Sequence, residues 1–360
     1  MFYNALRRYF FKRGLNMKKS IVAILLICCV LIVAVAAVVL FNQDKNDNAA
    51  NEDDIGIIPA GLEDIDVKVN AGGKWELDGK ITASSAGQSD IAAIIVHGSG
   101  PMDMDGAMGP NKMYQELAWG LAQHGIDVLR YDKRTYVYGS SSSDVPAKLT
   151  VMEETINDAV AAAELMKDRG YEKVFLIGHS MGGMLAPAIV NESGGLFDGF
   201  ISMAGSPRTI SEIQADQNLA LATIWNSAYV NEFVKSELAK LDQLDTWTES
   251  ELLSRTIFGL SAYYVKDMIS RNAGDIAASL NVPMLFLQGS ADFQVSADKD
   301  FGKWKEILGG REEVEFILYD GLNHLFMVSQ GPDAGTVNEY YHKGHIDQMV
   351  ILDIAEFIKR

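Results

Sequence analysis

An α/β domain built on a largely parallel sheet is the fold class this sequence predicts, and three observations predict it. Short, continuously apolar runs alternate with stretches of helical length and helical periodicity. No internal repeat interrupts that alternation. The composition is that of an ordinary globular protein, with 48% hydrophobic residues, 22% charged residues, 32 glycines and 8 prolines in 360 residues.

The elements follow in order. Asp64–Val69 and Lys74–Ala83, separated by Asn70-Ala71-Gly72-Gly73, read as an opening hairpin. Ile91–Val96, Ile126–Tyr131, Lys173–Ile177, Gly199–Ala204, Pro283–Gln288 and Val314–Tyr319 read as buried strands, which makes eight. In Lys112–His124 the apolar positions Met113, Leu117 and Leu121, with Ala118 and Ala122, recur at four-residue steps, and Gly125 supplies the stop. Met152–Arg169 behaves likewise and ends at Gly170. Between the sixth and seventh strands, residues 207–280 are helically patterned and too long for a plain crossover, so they read as an inserted cap. Within it Leu221, Ile224, Trp225, Ala228 and Tyr229 form one apolar stripe. The stripe either packs on the core or lines a substrate cleft. In the second case Trp225 and Tyr229 narrow an apolar pocket to which Met102, Met104 and Met108 also contribute.

The amino-terminal part reads differently. Residues 1–20 carry six basic side chains and no acid, and Met17-Lys18-Lys19 offers a second, export-type start. Residues 21–41 contain no charge and are long enough to cross about 30 Å of hydrocarbon as a helix. A cleaved secretory signal is the alternative, but its apolar region is usually about 7–15 residues and ends at a small-residue site. Here Ala34-Val35-Ala36 lies in mid-run. Basic residues before the span and acids after it place the bulk of the chain outside the cytoplasm of a bacterial cell. Residues 42–60 are a polar tether, and 61–360 form the outer domain. A net charge of −17 argues against nucleic acid as a partner. Cys28 and Cys29 are the only cysteines, and both sit in the apolar run. The outer domain therefore has no disulfide framework, no thiol nucleophile and no thiolate metal site.

The chemistry-bearing residues fall at strand ends. Lys173–Ile177 is followed at once by Gly178-His179-Ser180-Met181-Gly182-Gly183 and then by a helical stretch, the strand–turn–helix context of a nucleophile elbow. Ser180 needs a base, and His324, in Gly321-Leu322-Asn323-His324 after the last strand, is best placed among six histidines. His97, His124 and His179 read as structural, and the pair His342 and His345 lacks an evident third metal ligand. Asp292 follows the penultimate strand and is the candidate acid that orients His324. Asp298, Asp300 and Asp320 read as residues of solvated helix faces or strand ends. A second Gly-rich turn, His97-Gly98-Ser99-Gly100-Pro101, follows Ile91–Val96, so the backbone N–H groups of Ser99 and Met181 are the candidate oxyanion donors. In Arg130-Tyr131-Asp132-Lys133-Arg134 the charges read as an internal ion-pair network near the sheet edge, with binding of a substrate carboxylate as the alternative.

Taken together, the two Gly-rich turns and the Arg130–Arg134 segment resemble the α/β-hydrolase superfamily, and within it the bacterial esterase and serine-aminopeptidase-like branch, over residues 62–360. The order Ser180, Asp292, His324 is that superfamily's order. The resemblance implies a mostly parallel eight-stranded sheet with helices on both faces and a helical cap between strands six and seven. One departure is Thr135, which stands where members of the branch commonly have glycine. The expected activity is hydrolysis of small carboxylic esters without a metal or organic cofactor. A peptidase or acyltransferase with the same triad is the alternative, and a non-catalytic surface scaffold is a remote one.

Overall fold

The computed structural model describes residues 57–360 apart from 74, 88, 140–147 and 226–227, and leaves the side chains of 221–229 undescribed. The basic segment, the apolar run 21–41 and most of the tether therefore lie outside the described residues. Among the described residues no helix is long and apolar enough to cross a membrane.

Eight strands form one sheet: β1 (Leu62–Asn70), β2 (Glu76–Ser84), β3 (Ile91–Val96), β4 (Asp127–Tyr131), β5 (Lys173–His179), β6 (Gly199–Met203), β7 (Met284–Gly289) and β8 (Val314–Tyr319). Their spatial order is β1-β2-β4-β3-β5-β6-β7-β8. The opening hairpin runs antiparallel and β2 pairs antiparallel with β4, whereas β3 to β8 are mutually parallel. The mostly parallel sheet of the α/β-hydrolase class is thus observed, with strand ends shifted by a residue or two. One such shift has a local cause: Ala204, expected as the last residue of β6, adopts φ 50° and turns out of the strand.

Strand residues alternate between two cores. Ile94, Val96 and Leu176 face a layer containing Ile156, Ala162, Leu185 and Ile189, while Ala93, Ile95 and Ile177 face Leu117, Leu121, Ile351 and Ile354. Both faces are covered, which explains the unbroken apolar strand sequences. The first layer is built by α2 (Asn157–Asp168, preceded by a wide turn Met152–Ile156), α3 (Met181–Glu192), α8 (Ala273–Ser279) and α9 (Gly302–Leu308). The second is built by α1 (Met113–Gln123) and α10 (Gln348–Lys359), whose Asp347 cap accepts the Met349 N–H at 2.8 Å.

Between β6 and β7 lie α4 (Ile210–Trp225), α5 (Ala228–Leu241), α6 (Glu249–Ser254) and α7 (Ala262–Ser270). They enclose a separate apolar cluster that includes Val230, Val234, Trp247, Phe258 and Val265. By contrast, Ala273 and Ala277 of α8 join the main core. The inserted segment therefore contributes four cap helices and one helix of the sheet layer.

The chain runs from β3 outward to β4 and returns to β5 on the other side of β3. In an open parallel sheet such a reversal leaves a crevice at the carboxyl ends of the two strands. Gly98 follows β3 and Ser180 follows β5, so both turns meet at that crevice.

Candidate active site

Ser180 sits between β5 and α3 with φ 55° and ψ −115°, a backbone conformation that side chains rarely adopt. The turn is held by the Ser180 N–H donating to Met203 O (2.8 Å) and the Met184 N–H donating to Ser180 O (2.9 Å). Its glycines are required by contact. A Cβ on Gly178 would lie 2.3 Å from Gly182 O, and one on Gly182 would lie 2.4 Å from Val96 O. The elbow thus packs against its own helix and against the end of β3.

His324 and Asp292 meet above the ends of β7 and β8. His324 Nδ1 lies 2.7 Å from Asp292 Oδ2, with both side chains buried. A carboxylate accepts only, so Nδ1 carries the proton and Nε2 is the nitrogen left for a hydroxyl. Asp292 is held by three further donors: Gln288 Nε2 (2.9 Å) on Oδ2, and the Gln294 and Val295 N–H groups (2.8 and 3.0 Å) on Oδ1. Such an environment suits an anion that orients an imidazole without taking its proton.

A second buried chain of hydrogen bonds ties the three turns together. The Gly98 N–H donates to Tyr114 Oη (3.1 Å), Tyr114 Oη lies 3.1 Å from His179 Nδ1, and His179 Nε2 lies 3.0 Å from the His324 carbonyl oxygen. Burial pushes the Tyr114 phenol well up, so it stays an O–H that donates to Nδ1. Burial, with His324 nearby, drives His179 down to about 3, so its ring is neutral. With Nδ1 accepting, Nε2–H must donate to the His324 carbonyl, which fixes the tautomer. The residue between glycine and serine in the elbow, read from sequence as structural, thus holds the backbone of the loop that carries His324.

Ser180 and His324 border one cavity of about 110 Å³, together with Ser99, Met181, Met102 and Met108. Gly98 approaches so closely that a Cβ there would be 3.3 Å from Ser180 Cβ. Met104, expected beside the other methionines, does not line the cavity; its backbone N–H donates to Asp132 Oδ1 at 2.8 Å. The side chains of Trp225 and Tyr229 lie outside the described residues. Among the described side chains, those of the cap that line the cavity lie earlier on α4: Ile210, Ile213, Gln214 and Gln217. These stand at i, i+3, i+4 and i+7, a signal that was present in the sequence, but its polar half conceals it from a search for apolar stripes. Phe293, Val295 and Tyr340 close the far side.

Two expectations about charged residues resolve differently. Arg130 binds Asp64 (2.8 Å) and Asp105 (3.0 Å), and Arg134 binds Asp158 (2.5 Å), so these arginines do form an internal network. Asp300 is not on a solvated face. It is fully buried, accepts from Arg208 Nε (2.7 Å) and from Ser206 Oγ (2.5 Å), and secures the start of the cap. Its exposed neighbours Asp298 and Lys299 made the segment look solvated. His342 and His345 turn to different carboxylates, Asp333 (2.8 Å) and Glu116 (2.9 Å).

Residues 104–330 match the family described as serine aminopeptidase, S33. Esterase EstD of Thermotoga maritima is 37% identical over 303 residues, spanning 84% of this chain and 69% of the relative. The chain belongs to the serine aminopeptidase S33 family. It is accordingly a serine hydrolase of the α/β-hydrolase superfamily, in the esterase and aminopeptidase-like branch that its motifs resemble. Two solved structures share the fold. An esterase of Pyrococcus furiosus matches with a TM-score of 0.50 at 16% identity, covering 83% of this chain and 91% of that one. An acylaminoacyl peptidase of Pyrococcus horikoshii matches with a TM-score of 0.51 at 15% identity, covering 83% of this chain and 41% of that one. These two likenesses show the fold alone, and a fold by itself does not choose a leaving group.

Proposed function

We propose that this chain is a membrane-anchored, extracytoplasmic carboxylesterase that acts on small neutral esters. Ser180 Oγ attacks the ester carbonyl while His324 Nε2 takes its proton, and the proton then passes to the departing alcohol. Asp292 holds the imidazole and stabilises its charged form. The Ser99 and Met181 N–H groups receive the oxyanion, and water, activated by His324, hydrolyses the acyl-enzyme. The observation that carries this reading is the buried His324–Asp292 pair bordering the same cavity as the strained Ser180 turn.

An ester is favoured over an aminoacyl peptide by the lining of the cavity. A free α-ammonium group needs a carboxylate, and no aspartate or glutamate borders the cavity among the described residues. The relative from Thermotoga maritima is named an esterase, which supports the same choice. The modest cavity, walled by Met102, Ile213 and Phe293, suits short to medium acyl groups. The anchor rests on the uncharged run 21–41, and the orientation on the charges that flank it.

Turnover of p-nitrophenyl esters from acetyl to palmitoyl, set beside aminoacyl p-nitroanilides, tests the substrate class. Esters of short to medium chain should be preferred, and faster cleavage of the anilides would make the protein a peptidase. Membrane fractionation of the full chain against a variant lacking residues 1–41 tests the anchor. The full chain should sediment with membranes and the truncated one should be soluble and active.

A further inference from the structure

We propose that Lys133 is a positioning residue for the oxyanion hole, acting through the Gly98–Ser99 peptide. This inference rests on the proposed role of Ser99. Lys133 follows β4 and is 2% exposed. Burying an ammonium costs several kcal/mol unless its partners compensate, so what it touches carries weight. Nζ donates to Gly98 O at 2.9 Å and lies 3.4 Å from Glu154 Oε1. The shorter contact is to the carbonyl, so the ammonium is seated first on the Gly-rich turn and second on the carboxylate.

Gly98 C=O and Ser99 N–H are opposite ends of one planar trans peptide. A cation on the oxygen draws electron density toward it and strengthens the C–N double-bond character. The N–H on the other side becomes a better donor, and hydrogen bonds in series reinforce one another in this way. The same contact fixes the plane of the peptide, so the direction of the Ser99 N–H is set before substrate arrives. Preorganised donors of that kind favour the transition state over the ground state.

The neighbouring cations are used differently. Arg130 and Arg134 bind carboxylates as their shortest contacts, whereas the compact lysine head makes its shortest contact with the Gly98 carbonyl oxygen and has Glu154 at 3.4 Å. Glu154 also accepts from Thr135 Oγ1 (2.9 Å) and Tyr264 Oη (2.5 Å). The residue that departs from the branch's usual glycine therefore helps hold the carboxylate that balances Lys133. Tyr264 belongs to α7 of the cap, and its Oη also lies 3.6 Å from Met181 Sδ. One buried network thus touches the turns that carry both proposed oxyanion donors.

The test compares Lys133→Met, Glu154→Gln and the double variant with the unmodified protein. The readouts are ester kinetics, thermal midpoint, and affinity for a short-chain trifluoromethyl ketone, which adds to the serine as a tetrahedral oxyanion. Lys133→Met should lower kcat about 10- to 100-fold, somewhat less than removal of an oxyanion donor. KM should stay within about twofold, and ketone affinity should fall by the same factor as kcat. Glu154→Gln, which keeps the ammonium, should stay within about threefold. The double variant removes the unpaired buried carboxylate, so it should recover thermal stability while kcat stays low. Recovery of kcat together with stability, or unchanged ketone affinity in folded Lys133→Met, would make the lysine a structural residue and overturn the proposal. Failure of the unmodified protein to form the ketone adduct at Ser180 would instead overturn the triad, and this proposal with it.

Discussion

The floor of the cavity and the wall that the cap contributes are held by different forces. On the floor the backbone is fixed by close approach and by buried hydrogen bonds: Gly178 and Gly182 leave no room for a side chain, Asp292 has four donors, and His179 bridges two turns. The cap has its own apolar cluster around Trp247 and Phe258, and it meets the body both through Ile213 and Met268, which join the main core, and through polar links, Arg208 to Asp300, Tyr264 to Glu154 and the Val151 N–H to Asp267. A floor built this way tolerates little change, because any shift moves reacting atoms. A wall built this way can vary, and in the proposed reaction its side chains set which acyl group fits.

The largest effect separates two buried aspartates. Asp292→Asn should lower turnover by about 10⁴-fold through loss of the correct tautomer. Asp300→Asn leaves Arg208 with Asp216 as its remaining carboxylate (2.8 Å) and should instead reduce stability by about 1–3 kcal/mol, the cost of weakening charge-assisted hydrogen bonds to a buried acceptor. Steady-state kinetics and denaturation of both variants check this. A large kinetic loss in Asp300→Asn with normal stability would make Asp300 the acid instead.

Next comes acid stability, which reports on the floor. Burial drives both His97 and His179 down to about 3, from an ordinary value of 6.5. Between those values the unfolded chain binds more protons than the folded one, so stability present above pH 6.5 falls as pH drops toward 3. Asp158, pushed up to about 6 by burial, acts in the opposite sense between pH 6 and its usual 3.8, and offsets part of the loss. Denaturation midpoints measured from pH 7 to pH 4 should therefore fall. A flat profile would mean that the two imidazoles are not held neutral.

The smallest effect belongs to the wall. Ile213→Ala on α4 enlarges the cavity, so the preferred acyl chain should lengthen, with about a tenfold change in the ratio of long to short ester turnover. Activity on acetyl esters should stay within about threefold. Uniform loss across chain lengths would place Ile213 in the floor's category.

What was legible in the sequence follows the same division. The elbow could be read because its glycines flank the serine between an apolar strand and a helix, and the central strands because both their faces are buried. That Asp292 and His324 would meet could be read because they lie in the loops after neighbouring strands whose ends face the same edge of the sheet. Lys133, Glu154 and Tyr264 could not, since a buried lysine looks like any other until the end of β4, the turn Met152–Ile156 and α7 are packed together. Asp300 was hidden by its exposed neighbours, and Gln214 and Gln217 by their polarity. Departures from pattern such as Thr135 remained silent until its hydroxyl was seen on Glu154.

The central claim is that Ser180 is the nucleophile of this cavity. Reaction of the intact protein with a fluorophosphonate, followed by peptide mapping by mass spectrometry, tests it most directly. One equivalent of phosphonyl group should be found on Ser180, and Ser180→Ala should take up none while keeping the same thermal midpoint, with turnover reduced about 10⁵- to 10⁶-fold. Phosphonylation of a different residue, or undiminished labelling of folded Ser180→Ala, would contradict the account.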